Sequence, residues 1–136
     1  MADGPYRIGL NETQVGLVVP DVIQAAMRRL LGAHRAERLM VAGAMIESSE
    51  AQRIGLVDEL IDAEHVVERA IAWLRDLLRL APQAMSETRR IARADLRALF
   101  DAHNATSDEA FLACWFSDEA QRVLGEMVAM LKAKRG

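Results

Sequence analysis

The sequence predicts a mostly helical fold with a few short β segments, and three observations carry that expectation. Apolar residues recur at a helical period over nearly the whole chain from Pro20 onward. Residues that start and stop helices stand at the joints between these periodic stretches. Short apolar or β-branched runs of strand length are concentrated near the start. Residues 1–19 therefore form one segment, extended and carrying a polar turn, and 20–136 form a helical portion.

Taken in order, Tyr6–Leu10 and Val15–Val19 read as extended pieces around the polar turn Asn11-Glu12-Thr13-Gln14. An isolated pair of strands is marginal in water, so these two are expected to need partners from outside the chain. Val22, Ile23, Ala26, Met27, Leu30 and Leu31 lie on one face of a first helix that starts at Pro20 and stops at Gly32. A second, short helix runs from about Ala33 to Ala42 and closes at Gly43. Ser49 and Gln52 fit a capping box for a third, ending at Gly55. Leu56–Ile61 reads as a short strand. Asp62 is placed to cap a helix with Val66, Val67, Ala70, Ile71, Leu74, Leu77 and Leu78 facing inward. Pro82 opens another helix, carrying Ile91, Ala92, Leu96, Leu99 and Phe100. Thr106 and Glu109 fit a second capping box, before a helix with Phe111, Leu112, Trp115 and Phe116. Ser117 caps the last helix, whose face is Val123, Leu124, Met127, Val128 and Leu131.

Composition narrows the function. The 136 residues are 51% hydrophobic and 27% charged, with a net charge of −3, which suits one folded domain and excludes a disordered chain. The slight acidity argues against gripping nucleic acid through bulk charge. No apolar run approaches the roughly 20 residues that span a bilayer, so no membrane role is expected. Asp3 and Gly4 stand where a secretory leader would carry basic and then apolar residues. A single cysteine, Cys114, suits a reducing compartment, and the expectation is a cytoplasmic protein.

Few residues offer chemistry. His34, His65 and His103 stand far apart without ligand spacing, and one cysteine cannot build a structural zinc site, so no metal is expected. Glycine-rich phosphate loops and the serine-hydrolase motif are absent. Cys114 falls in an apolar helical run and reads as a buried, inert thiol. Lys132, Lys134 and Arg135 form a basic end that the helix dipole accounts for. Glu12 is different. Most other carboxylates sit on helices beside Arg or Lys, whereas Glu12 stands in a turn with Leu10 before it and Val15, Leu17 and Val18 after it. Two roles are open to it on local context: the cap or ion-pair partner of a surface turn, or a partly desolvated acid/base.

Three blocks resemble a known family. Arg7-Ile8-Gly9-Leu10-Asn11-Glu12-Thr13-Gln14-Val15-Gly16-Leu17, followed by a helix at Pro20, is similar to the second half of the crotonase superfamily, the enoyl-CoA hydratases and isomerases. Gly43, Glu50-Ala51 and Ile54-Gly55-Leu56-Val57-Asp58 resemble that family's "G…A…EA…GLVD" stretch. Phe116-Ser117-Asp118-Glu119 before the last helix is a weaker third block. Within the family the match looks closest to 3,2-enoyl-CoA isomerases of the mitochondrial type. Hydratases carry Pro where Asn11 stands and a glycine pair where Asp21-Val22 follow Pro20.

The resemblance implies the C-terminal part of the crotonase-like α/β spiral fold, including its helical oligomerisation region. It implies a homo-oligomer, a trimer or dimer of trimers. Family members are about twice this length, and Met1-Ala2-Asp3-Gly4 resembles an internal stretch of theirs, so a longer parent chain is expected. By the same resemblance Glu12 matches the isomerases' catalytic glutamate, which moves a proton from C2 to C4 of a 3-enoyl thioester. No permanently bound cofactor is implied; the substrate arrives as a coenzyme A thioester. Two other readings stand beside the isomerase: a hydratase or other crotonase-type acyl-CoA enzyme, and a catalytically silent helical fragment that only associates.

Overall fold

The computed structural model describes residues 1–101 and 105–134, the side chains of 105–108 excepted. The chain divides into two compact units, one formed by Met1–Ile8 with Ile46–Ala102, the other by Gly9–Met45 with His103–Gly136.

In the first unit, β1 (Arg7–Ile8) pairs antiparallel with β2 (Ile46–Glu47), with Arg7 opposite Glu47 and Ile8 opposite Ile46. Part of the expected strand therefore finds its partner inside the chain. Arg7 Nε donates to Glu47 Oε1 at 2.9 Å across the pair. Helix α3 (Ser48–Arg53) follows at once. The expected Ser49 capping box is not formed: the flanking residue is Glu47, which makes no side-chain cap bond. Ser48 is buried instead, its hydroxyl donating to Gly4 O at 3.0 Å and its N–H to Tyr6 O at 3.0 Å. Its polar groups hold the segment that leads into β1.

Leu56–Ile61 is not a strand. The N–H groups of Leu56 and Val57 both turn back to Ala51 O, at 2.9 and 3.2 Å, so the backbone curls past Gly55 where a strand would extend. Ile61 alone makes a bridge, parallel to Ala2. A 3₁₀ turn at Ala63–His65 precedes α4 (Val66–Leu77), and Asp62 makes no capping bond there. The helix expected from Pro82 is two, α5 (Pro82–Ala92) and α6 (Ala94–Asp101), interrupted at Arg93.

In the second unit the expected strand Val15–Val19 is absent. Glu12–Val15 form one 3₁₀ turn that closes on Gly16 in the left-handed region, φ 76°, and Leu17–Pro20 lie in no regular element. The N–H of Leu17 points back to Glu12 O at 2.9 Å, where a strand would need a neighbour. Helices α1 (Asp21–Leu31) and α2 (Ala33–Val41) follow as predicted, joined through Gly32 alone. They pack on each other, burying Val22, Met27 and Leu31 from α1 and Ala36 and Met40 from α2. Burying a side chain of Val, Leu or Met size stabilises by roughly 1.5–3 kcal/mol, and this pair supplies half of the ten buried hydrophobic residues among those described. The apolar face is narrower than the period suggested, since Leu30 is 60% exposed. Helices α7 (Ala105–Trp115) and α8 (Asp118–Ala133) complete the unit. Ser117 caps α8 as expected, its Oγ accepting from Ala120 N at 3.2 Å. Of the expected Thr106–Glu109 capping box, the Thr106 side chain lies outside the described residues.

Candidate active site

Glu12 opens the 3₁₀ turn, and the turn is tied down on two sides within its unit. The first tie is to the end of α2. Thr13 Oγ1 donates to Met40 O at 3.2 Å, a carbonyl that also accepts the Gly43 N–H at 3.0 Å, and Gln14 Nε2 donates to Ala42 O at 3.4 Å. Gly43 is required beside them. It sits at φ +57°, and a Cβ there would fall 2.7 Å from Thr13 Oγ1 and from Gln14 Cγ. The second tie comes from α7 and α8. Cys114 Sγ donates to Gly16 O at 3.2 Å, and a Cβ on Gly16 would meet Ala120 Cα at 2.9 Å.

Glu12 is half-buried, and its Oε2 is shut off from solvent with no hydrogen-bond partner among the described residues. A polar atom left so gives up its hydration for nothing, a loss of about 1–3 kcal/mol.

The other titratable candidates are not brought together. His34 is exposed, and so is His65, with Glu64 and Glu68 at 3.6 and 3.8 Å. His103 and Arg135 lie outside the described residues. No group of three or more His, Cys, Asp or Glu with metal-holding geometry occurs among the described residues. No helix among them is long and apolar enough to cross a membrane. Cys114 is a free thiol, but it is half-buried and bonded to the acid-bearing turn, and so is not the fully buried inert residue expected. No sequence signal could have found that contact, because its partners stand 98 residues apart. A cleft of about 420 Å³ opens beside the turn, with Thr13, Val18, Arg28 and Val41 among its walls. Another cleft, about 520 Å³, is in the first unit, where Arg69 and Glu59 pair at 2.6 Å near Trp73. Glu12 is not among the lining residues of either cleft.

Helices dominating the described residues beside a two-stranded sheet, and an acid held in a turn before the α1–α2 pair, make up an architecture of the crotonase type. The chain belongs to the enoyl-CoA hydratase/isomerase family, whose model matches residues 1–134. Among its relatives, the human mitochondrial enoyl-CoA delta isomerase 1 is 26% identical over 137 residues, covering 100% of this chain and 45% of the relative. The mouse protein of the same name is 27% identical, with 47% of its length covered. The chain thus spans about half the length of the curated relatives it matches. The crystal structure of human mitochondrial delta3-delta2-enoyl-CoA isomerase superposes with a TM-score of 0.90 at 26% identity, over 100% of this chain and 53% of that one. An enoyl-CoA hydratase/isomerase from Pseudoalteromonas atlantica shares the fold, with a TM-score of 0.80 at 22% identity over 91% of this chain and 50% of that one.

Proposed function

We propose that these residues form part of an acyl-CoA isomerase in which Glu12 carries a proton between two carbons of the substrate. In a 3-enoyl thioester the C2 proton is acidified by the carbonyl and by the neighbouring double bond. Glu12 takes it, and the electrons spread into a dienolate that two backbone N–H groups hold at the thioester oxygen. Glu12 then returns the proton at C4, leaving the double bond conjugated in the 2-trans position. One carboxylate serves both transfers, nothing is oxidised, and no water is added. Coenzyme A comes and goes with the substrate, so the reading calls for no resident cofactor.

The observation that carries this reading is Glu12 Oε2, buried and without a partner among the described residues, in a turn clamped from two sides. Because the chain spans about half of its relatives, the activity is proposed for the longest native chain that contains these residues, which would also supply the N–H pair. The exposed Phe116 and Leu131 support association into a homo-oligomer such as a trimer, and the free thiol of Cys114 fits a reducing compartment such as the cytoplasm.

The test is isomerisation of a 3-enoyl-CoA, followed by the appearance of the conjugated thioester, with Glu12→Gln in parallel. A positioned acid/base contributes on the order of 10²- to 10⁴-fold, and a loss of that size in Glu12→Gln is expected. Full activity in the variant would sink the proposal. Hydration of a 2-enoyl-CoA without isomerisation would replace it with the hydratase reading.

A further inference from the structure

We infer that the α7–α8 junction is the positioning device for Glu12, acting through the peptide group between Gly16 and Leu17. This rests on the proposed role of Glu12 and extends it to residues far along the chain. Both polar atoms of that one peptide are engaged. Its carbonyl, on Gly16, accepts the Cys114 thiol at 3.2 Å, and its N–H, on Leu17, donates to Glu12 O at 2.9 Å. A peptide group is planar and rigid, so a pull on one side is delivered to the other. The thiol is therefore connected to the backbone of Glu12 through one stiff unit and two hydrogen bonds.

A steric contact fixes the same peptide from below. Gly16 packs so closely on α8 that a Cβ would sit 2.9 Å from Ala120 Cα, and Ala120 is 0% exposed. Ala120 is held in turn by the cap, its N–H donating to Ser117 Oγ while that hydroxyl donates to Cys114 O at 2.7 Å. Cys114, Ser117 and Ala120 thus form one closed arrangement across the α7–α8 turn, and the acid-bearing turn rests on it. The tie to α2 engages Thr13 and Gln14 side chains and leaves the Gly16–Leu17 peptide untouched. The α7–α8 side engages that peptide directly, through the Cys114 thiol and the close approach of Ala120. Cys114 and Ala120 are positioning residues and have no contact with the proton in transit.

Two variants and two readouts test this in the longest native chain. Cys114→Ala removes the donor, and Cys114→Ser keeps one on a shorter arm. Small misplacements of a reacting group cost rate and not binding, so Cys114→Ala is expected to lower kcat about tenfold with KM little changed, and Cys114→Ser to fall between it and the parent. Hydrogen exchange of the Leu17 amide, read by NMR, is expected to quicken about threefold or more in Cys114→Ala while α1 and α2 amides keep their rates. Unchanged exchange at Leu17 overturns the inference whatever the activity does. So does a fall in kcat accompanied by faster exchange throughout, or a serine variant no better than alanine. If Glu12→Gln retains full activity the isomerase reading fails by itself, and the exchange experiment still decides whether the junction holds the turn.

Discussion

Helices α1 and α2 and the run from α4 to α6 are written in the same alphabet, amphipathic stretches of eight to twelve residues. Their fates differ. Five side chains of the first pair are buried, namely Val22, Met27, Leu31, Ala36 and Met40. None in α4, α5 or α6 is buried, and on α4 Val67 and Leu74 are 70% and 52% exposed. A periodic apolar stripe states that a helix has a face to cover, whereas burial needs a second surface within reach. Gly32 puts α2 beside α1 within a single residue, so their faces meet locally. The stripe on α4 is left exposed within its own unit.

The largest effect expected from this contrast is in the core. Met40→Ala should lower stability by about 2–5 kcal/mol, the range for emptying a buried site. Ile71→Ala, at a position 42% exposed, should cost less than about 1 kcal/mol. Urea denaturation of both variants checks the pair. Equal losses would mean that the α4 stripe is covered in solution, and the midpoint would then depend on protein concentration.

A sharper version uses two glycines with the same sign of φ. Gly43, at φ +57°, faces Thr13 and Gln14 at clashing distance, whereas at Gly55, with φ +81°, a Cβ would meet nothing within 4 Å. Left-handed backbone costs a non-glycine residue about 1–3 kcal/mol in either place. Gly43→Ala should therefore lose more than Gly55→Ala in thermal denaturation, and it alone should disturb the acid-bearing turn. Comparable losses would show that Thr13 and Gln14 give way without cost.

The smallest effect belongs to the surface of α5. The Arg90 guanidinium, hydrogen-bonded to Glu87, holds that carboxyl below its usual value. A carboxyl with a lowered folded pKa contributes stability above its unfolded value, and that contribution is lost as pH falls through the folded one. Both groups are exposed, so solvent screens the pair. Glu87→Gln should leave the neutral-pH unfolding midpoint nearly unchanged, with any small advantage of the parent disappearing in acid. A large difference at neutral pH would show that α5 is covered after all.

How much was legible follows from distance along the chain. Glu12 was recognisable as an unusual acid because its context, a polar turn between apolar runs, is contiguous. The helices from Pro20 to Ala42 and the Ser117 cap were recognisable for the same reason, since period and cap chemistry act within a few residues. Leu56–Ile61 misled because an apolar run of strand length carries no mark of the backbone bonds to Ala51 that curl it. Val15–Val19 misled similarly: Gly16 permits the left-handed turn but does not announce it.

The sequence by itself determined the helical class, most helix positions, the family and the acid worth attention, because each depends on neighbours or on a contiguous motif. The tertiary structure decided that Glu12 Oε2 is buried and without a partner among the described residues, that Ser48 and not Ser49 is the buried serine, holding the segment before β1, and that Cys114 and Ala120 reach Gly16 from the far end of the chain. Those facts are set by which surfaces pack together. A hydrogen bond across 98 residues leaves no periodicity, cap or spacing in the chain that forms it.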